Sequence, residues 1–170
     1  WRVSSISGIC KMSSGGTPSR SKDEYFSTQD TGYPWLASRE INWNIIHNAK
    51  EHISEIGIKN SSAKLFPEKT TVMAMYGGGT VGRCGFLGSS MTTSQAICAM
   101  IAKEKLSLPI YLYTLIKSES ERIVRKYAVG GAQVNLSQKS IGNHLIVLPP
   151  FEIIQDFESL VDELFANIDL

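Results

Sequence analysis

Gly77, Gly79 and Gly82 stand at the G-x-G-x-x-G spacing which, directly after a strand, lets a backbone approach a dinucleotide pyrophosphate. That chemistry needs a helix to open at the third glycine, because its free amino-terminal N–H groups receive the phosphate charge. "RCGFLGSSMTTS" follows instead, with Gly85 and Gly88 where the helix should run, so the glycines predict a hairpin or a bulge. "LPPF" at 148–151 has the prolines and the aromatic of an adenine-methylating motif, but Leu148 stands where Asn or Asp must hold the amino group of a flipped base. It cannot do that work. Cys10, Cys84, Cys98, His47, His52 and His144 sit at no metal-ligand spacing, and the chain has no G-x-S-x-G, H-E-x-x-H or G-K-[ST]. "GSSMTTSQ" at 88–95 has no histidine nearby in sequence to activate a nucleophile. These patterns assign no catalytic residue, no metal site and no cofactor to the chain.

What remains is the chemistry of binding. Arg20, Lys22, Arg39 and Arg83 lie in or beside Gly/Ser/Thr-rich loops, with Trp35, Trp43 and Tyr76 close in sequence. Ser19, Ser90, Thr92, Thr93, Gln133 and Asn135 are of the types that contact phosphates, and Gln or Asn can pair with adenine edges. The candidate nucleic-acid contacts are therefore Arg20, Lys22, Arg39, Tyr76, Arg83, Thr92, Gln133 and Asn135. Charge is distributed unevenly along the chain. Residues 1–139 carry all 17 Lys and Arg against 10 acids, a net of +7, and residues 140–170 carry six acids and no base. A basic body is the footprint of a nucleic-acid binder, since each neutralised phosphate releases counterions. A dipolar solvated surface has the same composition.

The elements that must position these groups are only partly marked. A chain of 170 residues, 42% hydrophobic and 19% charged, has material for one sizeable core, so one domain with an appendage is expected. Short apolar runs separated by Gly, Ser, Pro and Asn predict a strand-rich body. The strand candidates are "TTVMAMY" at 70–76, "YPWLA" at 33–37, "QAICAMIA" at 95–102 and "LIVLP" at 145–149. Ser107 is placed to cap a helix with Pro109 in its first turn, followed by Leu112, Leu115, Ile116, Ile123 and Tyr127 at three- and four-residue steps. Lys117, Glu119, Glu121, Arg122, Arg125 and Lys126 fall on its other face as a solvated surface. No apolar run approaches the roughly 20 residues of a bilayer span. Three scattered cysteines favour a reducing compartment. A first residue of Trp rather than Met suggests a piece of a longer protein.

The final stretch, "FEIIQDFESLVDELFANIDL", has the clearest periodicity. Ile154, Phe157, Val161, Leu164 and Ile168 step by 3, 4, 3 and 4, the seam of a helix that packs on another helix, with Pro150 before its first turn. Covering the domain's own core is the commoner use of such a stripe. Ile153, Leu160 and Phe165 widen it enough to contact both the domain and a partner helix.

The order of short motifs resembles a family. "SGGTPS" at 14–19, "YF" at 25–26, "GYPW" at 32–35, "SREI" at 38–41 and "SSAKLFP" at 61–67 come first. "TVG" at 80–82, "SQA" at 94–96, "GGAQVNLS" at 130–137 and "LPPFEIIQ" at 148–155 follow. Together they are similar to a target recognition domain of the specificity subunit of type I restriction-modification systems, across essentially the whole chain. Glu40 stands where the family usually has Asp, and "FEIIQ" replaces a Leu-x-Glu-Gln after the prolines.

The resemblance implies a mixed α/β (α+β) recognition domain at 1–149 that is strand-rich, with loops, followed at 150–170 by the start of a long coiled-coil-type spacer helix. It further implies sequence-specific binding of double-stranded DNA, reading one half of a bipartite target, without catalysis. The implied partners are methyltransferase subunits, which use S-adenosylmethionine, and through them an ATP- and Mg-dependent nuclease subunit. A second recognition half, or a second copy, would dock through the helix, in bacterial or archaeal cytoplasm. On this resemblance the "SGGTPS" segment builds scaffold, with Tyr25 and Phe26 pinning it to the core. The rival class is a scaffold module that does not touch DNA and assembles through the carboxy-terminal helix.

Overall fold

In the computed structural model, residues 1–27, 31–77, 79–129 and 134–168 are described, with side chains to 165. The element order is β1 (Arg2–Ser5), α1 (Ile6–Ile9), β2 (Cys10–Ser14), β3 (Phe26–Ser27), β4 (Tyr33–Leu36), β5 (Ile45–Ile46), β6 (Glu51–Ile53) and α2 (Glu55–Lys59). It continues with β7 (Leu65–Phe66), β8 (Thr71–Ala74), β9 (Cys84–Leu87), β10 (Met91–Thr93), β11 (Ile97–Ala102), α3 (Pro109–Tyr127), α4 (Gln138–Gly142), β12 (Leu145–Leu148) and α5 (Phe151–Ile168). All four predicted strands are present, and both predicted helices.

Two five-stranded sheets stack between a helical layer and a small outer cluster. One sheet runs β2-β11-β8-β9-β5 and the other β3-β6-β4-β10-β7, while β1 and β12 form a separate antiparallel pair. Alternation along the central strands explains the stacking. Met73, Cys84, Phe86, Cys98 and Met100 point into a core shared with Leu112, Tyr113, Ile116 and Ile123 of α3. Their neighbours Val72, Ala74, Leu87, Ile97 and Ala99 point the other way, onto Leu36, Phe66 and Met91 of the second sheet. A sheet covered on both faces needs unbroken apolar runs, which is why "TVMA" and "ICAMIA" show no polar alternation. The far side of the second sheet closes on Trp35, Ala37, Ile53 and Ala63.

Gly77, Gly79 and Gly82 lie in the hairpin connection from β8 to β9, which pair antiparallel with Met73 opposite Cys84. All three have positive φ, at 126°, 75° and 84°. No helix opens at Gly82, so the dinucleotide geometry is absent and the hairpin expectation stands. Gly82 is also a contact point: its carbonyl accepts the Ser120 hydroxyl at 2.6 Å, and a Cβ there would lie 2.4 Å from Val124 Cγ2. The hairpin is thereby docked onto α3.

Two helix expectations need correction. Ser107 is not the cap of α3; Leu108 holds that position, with Pro109 just inside. The orphan N–H groups of Ile110 and Tyr111 donate instead to the Glu158 carboxylate of α5, at 2.9 and 2.8 Å. The seam of α5 also turns inward. Ile154 is buried in the main core, Val161 packs against it, and Phe157 meets Tyr111 edge to face at 5.9 Å. The rings of Tyr111, Tyr113 and Phe86 lie beside α5, so the first three seam residues cover the domain's own core. Leu164 is on the open side, 59% exposed, in line with Ile153 (49%) and Leu160 (76%). Ile168 is within the helix, but its side chain lies outside the described residues.

Candidate nucleic-acid interface

The glycine doublet of "SGGTPS" is needed where backbone meets backbone. A Cβ on Gly15 would sit 2.0 Å from the Thr93 carbonyl oxygen, and one on Gly16 would sit 2.4 Å from the Ser62 carbonyl carbon. The Gly16 N–H donates to Thr93 O at 2.9 Å, and Trp35 Nε1 donates to Gly16 O at 2.9 Å. Tyr25 is buried and Phe26 packs on the outer cluster, as expected of the segment's scaffold role.

That scaffold delivers Arg20 to a fixed place. Its guanidinium lies 4.6 Å from the Phe26 ring centre and 5.0 Å from that of Trp35. It also donates to Glu51 Oε2, while Arg39 donates to Glu51 Oε1 at 3.2 Å. Glu51 is thus clamped between two arginines, each more than half exposed on its outer side. The hydrogen bond from Arg20, and then the charges of Arg20 and Arg39, hold the Glu51 carboxyl below the usual carboxylate range despite its partial burial. Next to Arg39, Glu40 fixes the chain path: Oε1 accepts the Ala37 N–H at 3.2 Å and Oε2 the Lys50 N–H at 2.9 Å. Glu40 therefore satisfies both backbone groups with one carboxylate.

Beyond Arg39 an open groove is lined by Arg39, Glu40, Asn44, His47, Asn48 and Lys50. Asn44 Oδ1 accepts the Asn42 N–H at 2.8 Å, and Asn42 Oδ1 in turn accepts from Arg83 Nη1 at 3.5 Å. Gly77 comes back to the same face, since a Cβ there would lie 3.0 Å from Ser38 Oγ. Tyr76 donates its hydroxyl to Gln95 O at 2.8 Å, and the Gln95 side chain accepts the Thr17 hydroxyl. Arg20 and Arg39 meet on Glu51, Arg39 lines the groove with Asn44, Asn44 holds Asn42, and Arg83 reaches Asn42, so residues up to 63 positions apart in the chain line one polar, arginine-bearing face, which Tyr76 adjoins through Gly77. Lys22 is held by the scaffold segment, with Nζ donating to the Tyr25 hydroxyl at 3.0 Å.

Thr92 does not belong to it. It is fully buried in β10, with its hydroxyl donating to Pro34 O at 2.8 Å, because β10 is a central strand of the second sheet. Asn135 is exposed, and its main chain exchanges both bonds with Val129 at 2.9 and 3.1 Å. Gln133 lies outside the described residues. The expectations omitted Glu51, Asn42 and Asn44. The Asn-Trp-Asn run at 42–44 was the available signal, being polar and turn-forming on both sides of a large aromatic. Among the described residues no group of His, Cys, Asp and Glu could hold a metal ion, and no helix is long and apolar enough to cross a membrane.

The model of the type I restriction modification DNA specificity domain matches residues 1–170, the whole chain. The chain belongs to this family. Among curated relatives, the Escherichia coli type I restriction enzyme EcoR124I/EcoR124II specificity subunit is 24% identical over 99% of this specificity domain and 43% of its own length. The Methanocaldococcus jannaschii MjaIX specificity subunit is also 24% identical, over 99% of this chain and 38% of its own. This specificity domain therefore spans about two fifths of the curated relatives it matches. Among solved structures, the HsdS subunit from Thermoanaerobacter tengcongensis superposes with a TM-score of 0.67 at 15% identity, covering 99% of this chain and 38% of that one. The type I restriction-modification S subunit from M. genitalium gives 0.64 at 16%, covering 98% and 40%. At these identities the likeness establishes the mixed α/β fold of the specificity domain.

Proposed function

We propose that this specificity domain binds double-stranded DNA in a sequence-specific manner and reads one half of a bipartite target, with no catalysis of its own. The observation that carries the reading is the family match over the full chain. The arginines of the polar loop face, Arg20, Arg39 and Arg83, support it. Arginine and lysine there would position the backbone through phosphates, while loop side chains would read base edges. Methyl transfer and cleavage would belong to partner subunits in the cytoplasm, carrying S-adenosylmethionine and ATP with Mg. The exposed line Ile153–Leu160–Leu164 on α5, flanked by Glu152, Asp156 and Glu163, favours assembly through that helix, with a second recognition half or a second copy.

Selection from a random duplex library tests the proposal. Enrichment of a short motif, with affinity falling steeply as salt rises, is the expected result. A protein that retains no duplex at low salt would leave assembly through α5 as the function.

A further inference from the structure

Trp43 is held in a backbone conformation that L side chains avoid, with φ at +60°. For a bulky aromatic this is an outlier, and such strain persists only where the surroundings enforce it. Here they do so through the main chain. The Trp43 N–H donates to Cys84 O at 2.9 Å, and Asn44 O accepts the Phe86 N–H at 3.0 Å. Immediately after, Ile45 and Ile46 pair in parallel with Phe86 and Leu87 of β9. Asn44 Oδ1 accepts the Asn42 N–H at 2.8 Å, closing the turn from inside.

The strained turn does not bury the ring. Trp43 is 39% exposed and belongs to none of the three core clusters among the described residues. A fold gains little from straining its backbone to hold an indole in water. A ligand surface gains a rigid, low-entropy contact. On one side of Trp43 in the chain, Asn42 binds Arg83; on the other, Asn44 lines the groove shared with Arg39 and Lys50. Trp43 therefore stands in the chain between two residues of the polar face that carries Arg39 and Arg83.

We infer that Trp43 is a base-reading residue of this domain, its ring pressed against base edges or a base step in a groove of the duplex while Arg83 and Arg39 hold the flanking phosphates. This rests on the DNA-binding reading and names the group that discriminates. Apolar contact with a thymine methyl, or a wedge at a deformable step, is the chemistry an exposed indole offers there.

The test uses the full chain, the enriched duplex from the library selection and a scrambled duplex, at one salt concentration and then across a salt series. Trp43→Ala is expected to weaken binding to the enriched duplex about tenfold or more. Binding to the scrambled duplex should stay within about twofold with the same salt slope, since no phosphate contact is lost. Trp43→Phe should recover part of the selectivity. Trp43→Gly should lose the selectivity while melting at or above the wild-type temperature, because glycine relieves the φ of +60°. Equal losses on both duplexes, or unchanged selectivity in a wild type that is itself selective, would overturn the inference alone. A wild type without selective binding would overturn the reading beneath it as well.

Discussion

The carboxylate of Glu158 accepts the backbone N–H of Tyr111 at 2.8 Å, and its second oxygen accepts that of Ile110 at 2.9 Å. The two residues lie 47 positions apart, on different helices. A charge at the amino end of α3 also meets the positive pole of that helix. Glu158→Ala is therefore expected to lower stability by about 1–2 kcal/mol, seen as a reduced thermal midpoint. Ser107→Ala, at the position the sequence marks as the cap, should change it by less than about 0.5 kcal/mol on that count.

Glu51 holds Arg20 and Arg39, so on the proposed DNA reading it would compete with phosphate for both. Replacing it by glutamine removes one negative charge from a surface read as DNA-facing. Glu51→Gln is expected to tighten binding to any duplex and to steepen the salt dependence by up to about one ion released. Weaker binding with an unchanged slope would place the pair outside the interface.

The same carboxyl makes a statement about acid stability. Its folded-state pKa lies below the ordinary value, so its stabilising contribution is complete above the unfolded carboxylate pKa and is lost as pH falls through the lowered folded value. Urea midpoints measured from pH ~6 downward should drop for the wild type. The Glu51→Gln protein should lack that part of the decline.

Gly82 combines a φ of +84° with close approach to Val124. Gly82→Ala is expected to cost about 1–3 kcal/mol by chemical denaturation, since backbone strain and a clash with α3 both oppose the side chain. Gly79→Ala carries only the strain, because no atom lies within 4 Å of its Cβ position. It should cost less.

Along α5 the two sides separate assembly from folding. Phe157→Ala removes a ring packed on Tyr111 and is expected to destabilise by about 2–4 kcal/mol. Leu160→Glu alters a side chain that is 76% exposed and should leave the melting temperature nearly unchanged while reducing any self-association seen by sedimentation.

The sequence marked elements where one residue's neighbours in the chain decide the outcome. "TVMA" and "ICAMIA" are strands because both faces are buried, and α3 follows from Pro109 and its apolar steps. Strands of two residues, such as β3, β5 and β7, leave no periodicity to detect. The serine-rich opening hides β1, α1 and β2, whose burial depends on α4 and β12 more than 120 positions away. In the candidate site, loop composition pointed to Arg20, Arg39 and Arg83. It could not show that Thr92 sits in a central strand, because a threonine in "MTT" has the same chemistry exposed or buried. The seam of α5 was legible as a pattern, whereas its direction depended on where the core of α3 lay.

The segment at 42–46 is tied down by main-chain groups: Trp43 to Cys84, Asn44 to Phe86, Ile46 to Gly88. Bonds of that kind are indifferent to the side chains they carry. Asn42 and Trp43 can therefore be exchanged for other types while the supporting sheet keeps its register, so, on the proposed DNA reading, a change of target would be open to a few substitutions on a constant chassis.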